Sequence, residues 1–383
     1  MIRIEKAELR EIRLPLIEPF ETSAGVTTEK RVLLLEMTHA DGSVAWSECA
    51  AEALPTYSPD TVDTCWFALV EWVIPVVLRH EFEWASDVDV YFERRIRGHR
   101  MARATVEMGT WSIAALRLEV PLATLLARHA GASPRATVAT GIAIGMQADP
   151  AALSARVAEA AREGYCRARI KIGPGRDVAF VSAVRDAAGQ EFALAVDANC
   201  SYSLDDPSHL AALRELDTLG LAMIEQPLAH GDLVRHAELQ RDMKTRICLD
   251  ESLDSDTSAE AMLAIGSARM ANLKPGRVGG FSEAIAIHNR CAAAAVPVFC
   301  GGMLETGIGR AYNVALASLP YFTEPGDLSP SSRYWVRDVV TSPWTMDAEG
   351  AVKVPLDKPG IGVDVDVGLI DDLTVRRVSL SRS

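Results

Sequence analysis

Apolar and polar positions alternate with period two at the start of the chain, in IRIEKAELREIRL, and again through RVLLLEMTHADGSVAWSECA. Period two predicts strands with one buried face. Asp41-Gly42, inside the second stretch, predicts a hairpin turn. Between them, PFETSAGVTTEK reads as a loop carrying Gly, Thr and Ser. From Asp60 through Arg128 the spacing turns helical, as in ARATVEMGTWSIAALRLEV. Antiparallel strands followed by helices predict an α+β domain over residues 1–130, with GASPRA at 131–136 as a linker.

The pattern then becomes a regular strand–helix alternation. The run ATVATGIAI leads to the helix DPAALSARVAEAAREG, with Asp149-Pro150 as cap and first turn and Gly164 as stop. ARIKI, EFALAVD, LAMIE, RICLD, MANLK and VPVFC follow as strands, each with a helical stretch after it. Seven βα units, with an eighth strand near PYFTEPG, predict a closed α/β barrel over residues 131–325. The tail, 326–383, returns to strand and turn character and is expected to pack on the first domain.

Five of these apolar runs close on or beside a charge: Lys171, Asp197, Glu225, Asp250 and Lys274, separated by 26, 28, 25 and 24 residues. A buried strand body ending in a charge is what a barrel strand presents when its C-terminal tip faces an active site. Solvated rim charges would account for any one of them, but not easily for five in succession. Three carboxylates between two lysines offer hard oxygen ligands to a cation, with an ammonium on either side, a layout suited to taking a proton from a carbon acid. The oxygen-only set favours Mg²⁺, with Mn²⁺ able to substitute, over zinc, which would draw His or Cys. Lysine is otherwise scarce, seven residues among 39 basic ones. Unlike arginine, lysine can be shifted toward neutrality and so serve as a general base.

Composition narrows the partners. The chain has 383 residues, 49% hydrophobic and 24% charged, and a net charge of −13 without a basic run. That argues against nucleic acid or an anionic membrane surface. The N-terminus opens directly on a strand-like run, and no stretch approaches a bilayer span. Seven scattered cysteines without CxxC spacing read as buried thiols of a reducing cytoplasm. The expectation is a cytoplasmic homo-oligomer acting on a small-molecule carboxylate.

RIKIGPG around Lys171, VDAN at 196–199, IEQPL at 224–228, LDES at 249–252, NLKPGRVGG at 272–280, CGGMLETGIGRAYN at 300–313 and PGDLSPSSRYW at 325–335 occur in this order. With WSECAAEALPTYSPD and the AxxxVEMxxW pattern ending at Trp111, this set resembles the enolase superfamily. Within its muconate-lactonizing subgroup the chain is most similar to the o-succinylbenzoate synthase / N-succinylamino acid racemase family. The resemblance implies a (β/α)7β modified TIM barrel with an α+β capping domain formed by the N-terminal region and the C-terminal tail. It further implies Mg-dependent removal of a proton α to a carboxylate, through an enolate intermediate. Lys171 and Lys274 would be the acid/base pair, and Asp197, Glu225 and Asp250 the metal ligands. Asn199 and Glu251 would orient ligands and lysines. Gly301, Gly302, Met303 and Leu304 would line the substrate pocket, while Phe20 and the loop Ser23, Ala24 and Gly25 would close over it.

Two positions depart from the family pattern. Arg169 stands where a first lysine is usual, and would act as a fixed cation beside the substrate carboxylate. Ala143 replaces a serine whose hydroxyl could meet substrate. The family pattern leaves open a lyase forming o-succinylbenzoate for menaquinone synthesis and a racemase of N-succinyl or other N-acyl amino acids. A dipeptide epimerase, another muconate-lactonizing-like cycloisomerase and a barrel without catalysis are the remaining alternatives. Cys300, where mandelate-racemase-like chemistry wants a histidine, disfavours that reaction.

Overall fold

A computed structural model describes residues 1–23 and 25–382. Ala24, part of the expected closing loop, lies outside the described residues. The long alternating runs form β1 (Ile4–Thr22), β2 (Gly25–His39) and β3 (Val44–Cys49), with the tight Asp41-Gly42 turn between β2 and β3. Gly42, at φ +88°, takes the left-handed conformation that this turn requires. PFETSAGVTTEK, expected as a loop, instead extends β1 and β2 into a hairpin in which Phe20, Glu21 and Thr22 pair with Thr27, Val26 and Gly25. The helical stretch resolves into separate helices, of which Arg100–Arg117 is the longest and most buried. It lies against β3, where Ser47 Oγ donates to the Thr105 carbonyl at 2.7 Å.

The expected first barrel strand is interrupted. β4 (Thr137–Ala139) is followed after two residues by β5 (Ile142–Ile144), and only β5 joins the parallel sheet. The chain continues through β6 (Ala168–Lys171), β7 (Leu194–Asp197), β8 (Ile224–Glu225), β9 (Ile247–Leu249), β10 (Met270–Leu273) and β11 (Val298–Cys300). β4 instead pairs antiparallel with β12 (Ala351–Lys353), so the run ATVATGIAI serves two sheets. The C-terminal strand β13 (Thr374–Ser381) pairs with β1 and completes a four-stranded sheet in the order β13-β1-β2-β3.

β5 to β11 are neighbours in sequence order, each parallel to the next. Residues 324–327 fill the eighth place. Asp327 N donates to the Cys300 carbonyl at 2.8 Å on one side, and Gly141 N donates to the Gly326 carbonyl at 2.7 Å on the other. The barrel interior is packed rather than open, with Ala195, Met223, Cys248, Met270 and Phe299 forming a fully buried layer below the C-terminal tips of the strands. Helices follow the strands as expected. Asp149 Oδ1, for example, caps the helix Pro150–Arg162 by accepting from Ala152 N at 2.8 Å. Among the described residues no helix is long and apolar enough to cross a membrane.

Two buried glutamates tie the capping domain to the barrel by capping barrel helices. Glu107 accepts from Phe281 N at 2.8 Å, Ser282 N at 3.0 Å and Ser282 Oγ at 2.6 Å. Glu48, on β3, accepts from Thr306 Oγ1 at 2.6 Å and Gly309 N at 2.9 Å at the start of the helix Gly307–Ala317. Burial pushes the Glu48 carboxyl up to about 7, against the Thr306 hydrogen bond and with help from the neighbouring Glu305 carboxylate. A carboxyl raised on folding contributes stability that is full below its unfolded value, about 4.3, and is lost as pH rises through the folded one. Glu48→Gln does not titrate. The melting temperature of the wild-type protein relative to Glu48→Gln is therefore expected to drop by a few degrees between pH 5 and pH 8. A constant difference over that range would contradict this reading of Glu48.

Candidate active site

The five charges occupy the C-terminal tips of consecutive barrel strands or the residue just beyond them. Lys171, Asp197 and Glu225 end β6, β7 and β8, while Asp250 and Lys274 follow β9 and β10. Counting β5 as the first strand, β6 is second and β10 sixth, so Lys171 and Lys274 face each other across an eight-membered ring. Asp197, Glu225 and Asp250 lie on the three strands of the arc between them and are fully buried.

Each carboxylate meets a cation. Asp197 Oδ2 accepts from Lys171 Nζ at 2.6 Å and is also bonded by Arg169 Nη1. Lys171 Nζ also donates to Asn199 Oδ1 at 2.7 Å, and Asn199 Nδ2 donates to Glu251 Oε1 at 3.1 Å. Asp250 Oδ2 accepts from Lys274 Nζ at 2.9 Å, while its Oδ1 takes Tyr57 OH at 2.8 Å together with Arg277. Glu225 Oε1 accepts from Asn272 Nδ2 at 2.8 Å. Its Oε2 makes no hydrogen bond and lies 3.2 Å from Arg169 Nη1. Arg169 is held on its other side by Asp327.

Burial drives these groups in opposite directions. Desolvation raises Glu225 well above the carboxylate range, reinforced by Asp197 and Asp250 and opposed by Arg169. Burial would raise Asp250 too, but Lys274 and Arg277 outweigh it and hold that carboxylate low. For Lys274, burial works toward the neutral amine and the Asp250 charge overcomes it, so the group is held as an ammonium. The Tyr57 ring, 4.4 Å from Nζ, adds a cation–π contact. Glu251 is pushed up to about 7 by burial and by Asp250 and Asp197.

A cavity of about 270 Å³ opens above this floor. It is lined by Lys171, Lys274, Arg169, Asn199, Glu251, Ala143, Gly302, Met303 and Leu304 from the barrel, and by Phe20 and Gly25 from the capping domain. Asp197, Glu225 and Asp250 lie beneath the lining. Gly301 is also outside it, packed so close that a Cβ there would stand 2.6 Å from Lys274 Cε. Ser23 does not line the cavity either; its hydroxyl donates to the Ala198 carbonyl at 3.3 Å, just beyond the tip of β7. Asn199 (φ 43°) and Leu304 (φ 55°), both cavity residues, share the left-handed backbone with Gln226 (φ 39°). Such strain concentrates where surrounding structure fixes a site.

Four residues at this site lie within the motifs quoted above but are given no role by the sequence alone. Tyr57 and Arg277 fasten Asp250, and Asp327 fastens Arg169. Gln226 stitches β8 to β9, its Oε1 accepting from Asp250 N at 3.0 Å and its Nε2 donating to Ser252 Oγ at 2.7 Å. Gln226 follows Glu225 directly, and Arg277 lies one helical turn past Lys274, so proximity to a tip charge was the available signal.

The donor set can be weighed against a hard divalent cation. The three carboxylates are the right ligands. Asp197 and Glu225 already converge on one positive nitrogen, with an unbonded oxygen on Glu225. Among the described residues no three His, Cys, Asp or Glu side chains are gathered tightly enough to hold a metal, because Asp250 is turned to Lys274, Arg277 and Tyr57. The chemistry fits, with Arg169 standing where positive charge is required.

Residues 152–368 match the family model described as enolase C-terminal domain-like. Residues 6–127 match the mandelate racemase / muconate lactonizing enzyme N-terminal domain. An o-succinylbenzoate synthase from Geobacillus stearothermophilus is 42% identical over 95% of this chain and 94% of its own length. An N-succinylamino acid racemase from Amycolatopsis is 40% identical over 98% of this chain and 99% of its own. The crystal structure of an enolase-superfamily member from Listeria innocua superposes with a TM-score of 0.93 at 36% identity, covering all of both chains. With a capping domain over a barrel whose tips carry lysines and carboxylates, the chain belongs to the mandelate racemase / muconate lactonizing enzyme family of the enolase superfamily and is an enzyme of its lyase and isomerase type.

Proposed function

We propose that this enzyme abstracts the proton α to a carboxylate of an N-succinylamino acid or of the cyclohexadiene precursor of o-succinylbenzoate, as a racemase, a synthase or both. The observation that carries the reading is the pair of lysines on opposite sides of the barrel, above three buried carboxylates. Relatives of both names at about 40% identity over nearly the whole chain support it.

Asp197, Glu225 and Asp250 would hold Mg²⁺ or Mn²⁺. When bound, the ion would supply positive charge to the substrate carboxylate as the α-carbon loses its proton. Lys171 takes the proton from one face, its Nζ aimed by Asp197 and Asn199. Lys274, held as the ammonium, delivers a proton to the other face in racemisation, or stabilises the anion as a cation in dehydration. Arg169 supplies a further fixed charge beside the substrate carboxylate. Phe20 and Gly25, which line the cavity from the capping domain, would help to exclude water once substrate is bound. The acid/base work needs both lysines for racemisation, but only Lys171 for dehydration.

Seven free thiols support a cytoplasmic setting. Exposed Phe67, Trp72 and Trp84 on the capping domain support a homo-oligomer. The direct test is Mg²⁺-loaded protein offered N-succinylamino acids in D₂O, beside the dehydration assay. Turnover in at least one, abolished by chelator and restored by Mg²⁺ or Mn²⁺, is expected. Inactivity in both, or activity undiminished in chelator, would overturn the proposal.

A further inference from the structure

The roof of the active cavity carries a cation that the chemistry above does not use. Lys30 lies on β2, opposite Leu14 in the β1 pairing, and lines the same cavity as Lys171 and Lys274. The residue is only 4% exposed, yet no hydrogen bond or ion pair joins its side-chain ammonium to any described residue. Every other basic residue of the lining is neutralised. Arg31 is held by Glu11 and Asp63, Arg169 by Asp197 and Asp327, Lys171 by Asp197, and Lys274 by Asp250. The roof carboxylates do not answer it either: Glu29 pairs with Arg13, and Glu52 accepts from Thr56 Oγ1.

An ammonium on an otherwise buried side chain, opening on the cavity and without an anion, is incompletely solvated and gains no counter-charge. That deficit is made good when the cavity fills with a ligand that brings the anion. Lys30 stands on the capping side, while the proposed reacting groups stand on the barrel side, so that anion belongs at the end of the ligand remote from the α-carbon. Phe20, Val26 and Leu54 line the cavity on the same side and supply apolar surface for a short methylene chain leading to it.

We propose that Lys30 binds the distal carboxylate of the substrate and selects a doubly anionic acyl chain over a neutral one. The inference rests on the function proposed above and adds the residue that sets acyl preference. A charge-assisted contact of this kind is lost on removing the ammonium and largely kept by arginine.

The test compares an N-succinylamino acid with its neutral succinamide analogue, in which a primary amide of nearly the same shape replaces the distal carboxylate. For Lys30→Met, the ratio of kcat/KM for the acid over the amide is expected to fall by roughly 30-fold, carried mainly by KM for the acid. Lys30→Arg should keep most of the wild-type ratio. An unchanged ratio in Lys30→Met overturns the proposal. So does an equal fall for both substrates, which would mark a packing role. Calorimetric titration with the N-succinylamino acid needs no turnover and separates the two readings. Binding that weakens in Lys30→Met while the wild-type protein turns over neither compound would overturn the catalytic proposal and uphold the anion contact. Equal binding by both proteins would remove Lys30 from the site.

Discussion

Replacing Lys171 by alanine is expected to lower turnover by on the order of 10⁴-fold in both the racemisation and the dehydration assay. Both reactions begin by breaking a C–H bond α to a carboxylate, and Lys171 is the one amine on that side of the cavity among the described residues. Asn199 accepts from Lys171 Nζ, but its amide cannot act as a base. Loss of the fold would give the same kinetic result, so the melting temperature belongs beside the rates. Lys171 contributes one ion pair and one hydrogen bond at the cavity floor, so a variant that melts near the wild-type temperature and is inactive carries the assignment. Lys274→Arg separates the two chemistries. Arginine keeps the cation but does not exchange protons near neutral pH. Dehydration should keep part of its rate, while racemisation should be lost.

Asp250→Asn carries the second large effect, a loss on the order of 10³-fold in turnover. The substitution keeps the shape of a fully buried side chain and removes its charge. Lys274 and Arg277, both facing Asp250, then repel each other without the anion between them. In the proposed site a divalent ion would lose one of three hard oxygen ligands. Mg²⁺ affinity measured by calorimetry should fall together with the rate. Full activity with undiminished Mg²⁺ binding would remove Asp250 from the metal site, and with it the grouping of the three carboxylates.

The placement of the five tip charges was readable because barrel strands are short and buried on both faces. Their bodies are unbroken apolar runs, and the first charge marks the tip. The Asp149 cap and the Asp41-Gly42 turn were readable for the same local reason: one or two residues decide each geometry. What escaped notice was non-local. ATVATGIAI is one apolar run, and only pairing of Thr137–Ala139 with Ala351–Lys353, more than 200 residues away, divides it. Tyr57 reaches Asp250 from the capping domain, and Asp327 reaches Arg169 from the segment that closes the barrel. Neither contact leaves a spacing signal in the chain. Arg169 illustrates the limit best. Its position on β6 was evident, but not that three carboxylates would share it. Lys30, one lysine among seven in the chain, becomes conspicuous only once the rest of the cavity is seen to be paired.

The central claim is that Lys171 and Lys274 address opposite faces of one α-carbon. Enantiomer-resolved exchange of the α-proton of an N-succinylamino acid in D₂O, followed by ¹H NMR in the presence of Mg²⁺, tests it most directly. Lys171→Ala should still exchange the α-proton of one enantiomer only, Lys274→Ala that of the other only, and neither should racemise. Exchange of both enantiomers by either single variant, or of the same enantiomer by both, would contradict the two-base account.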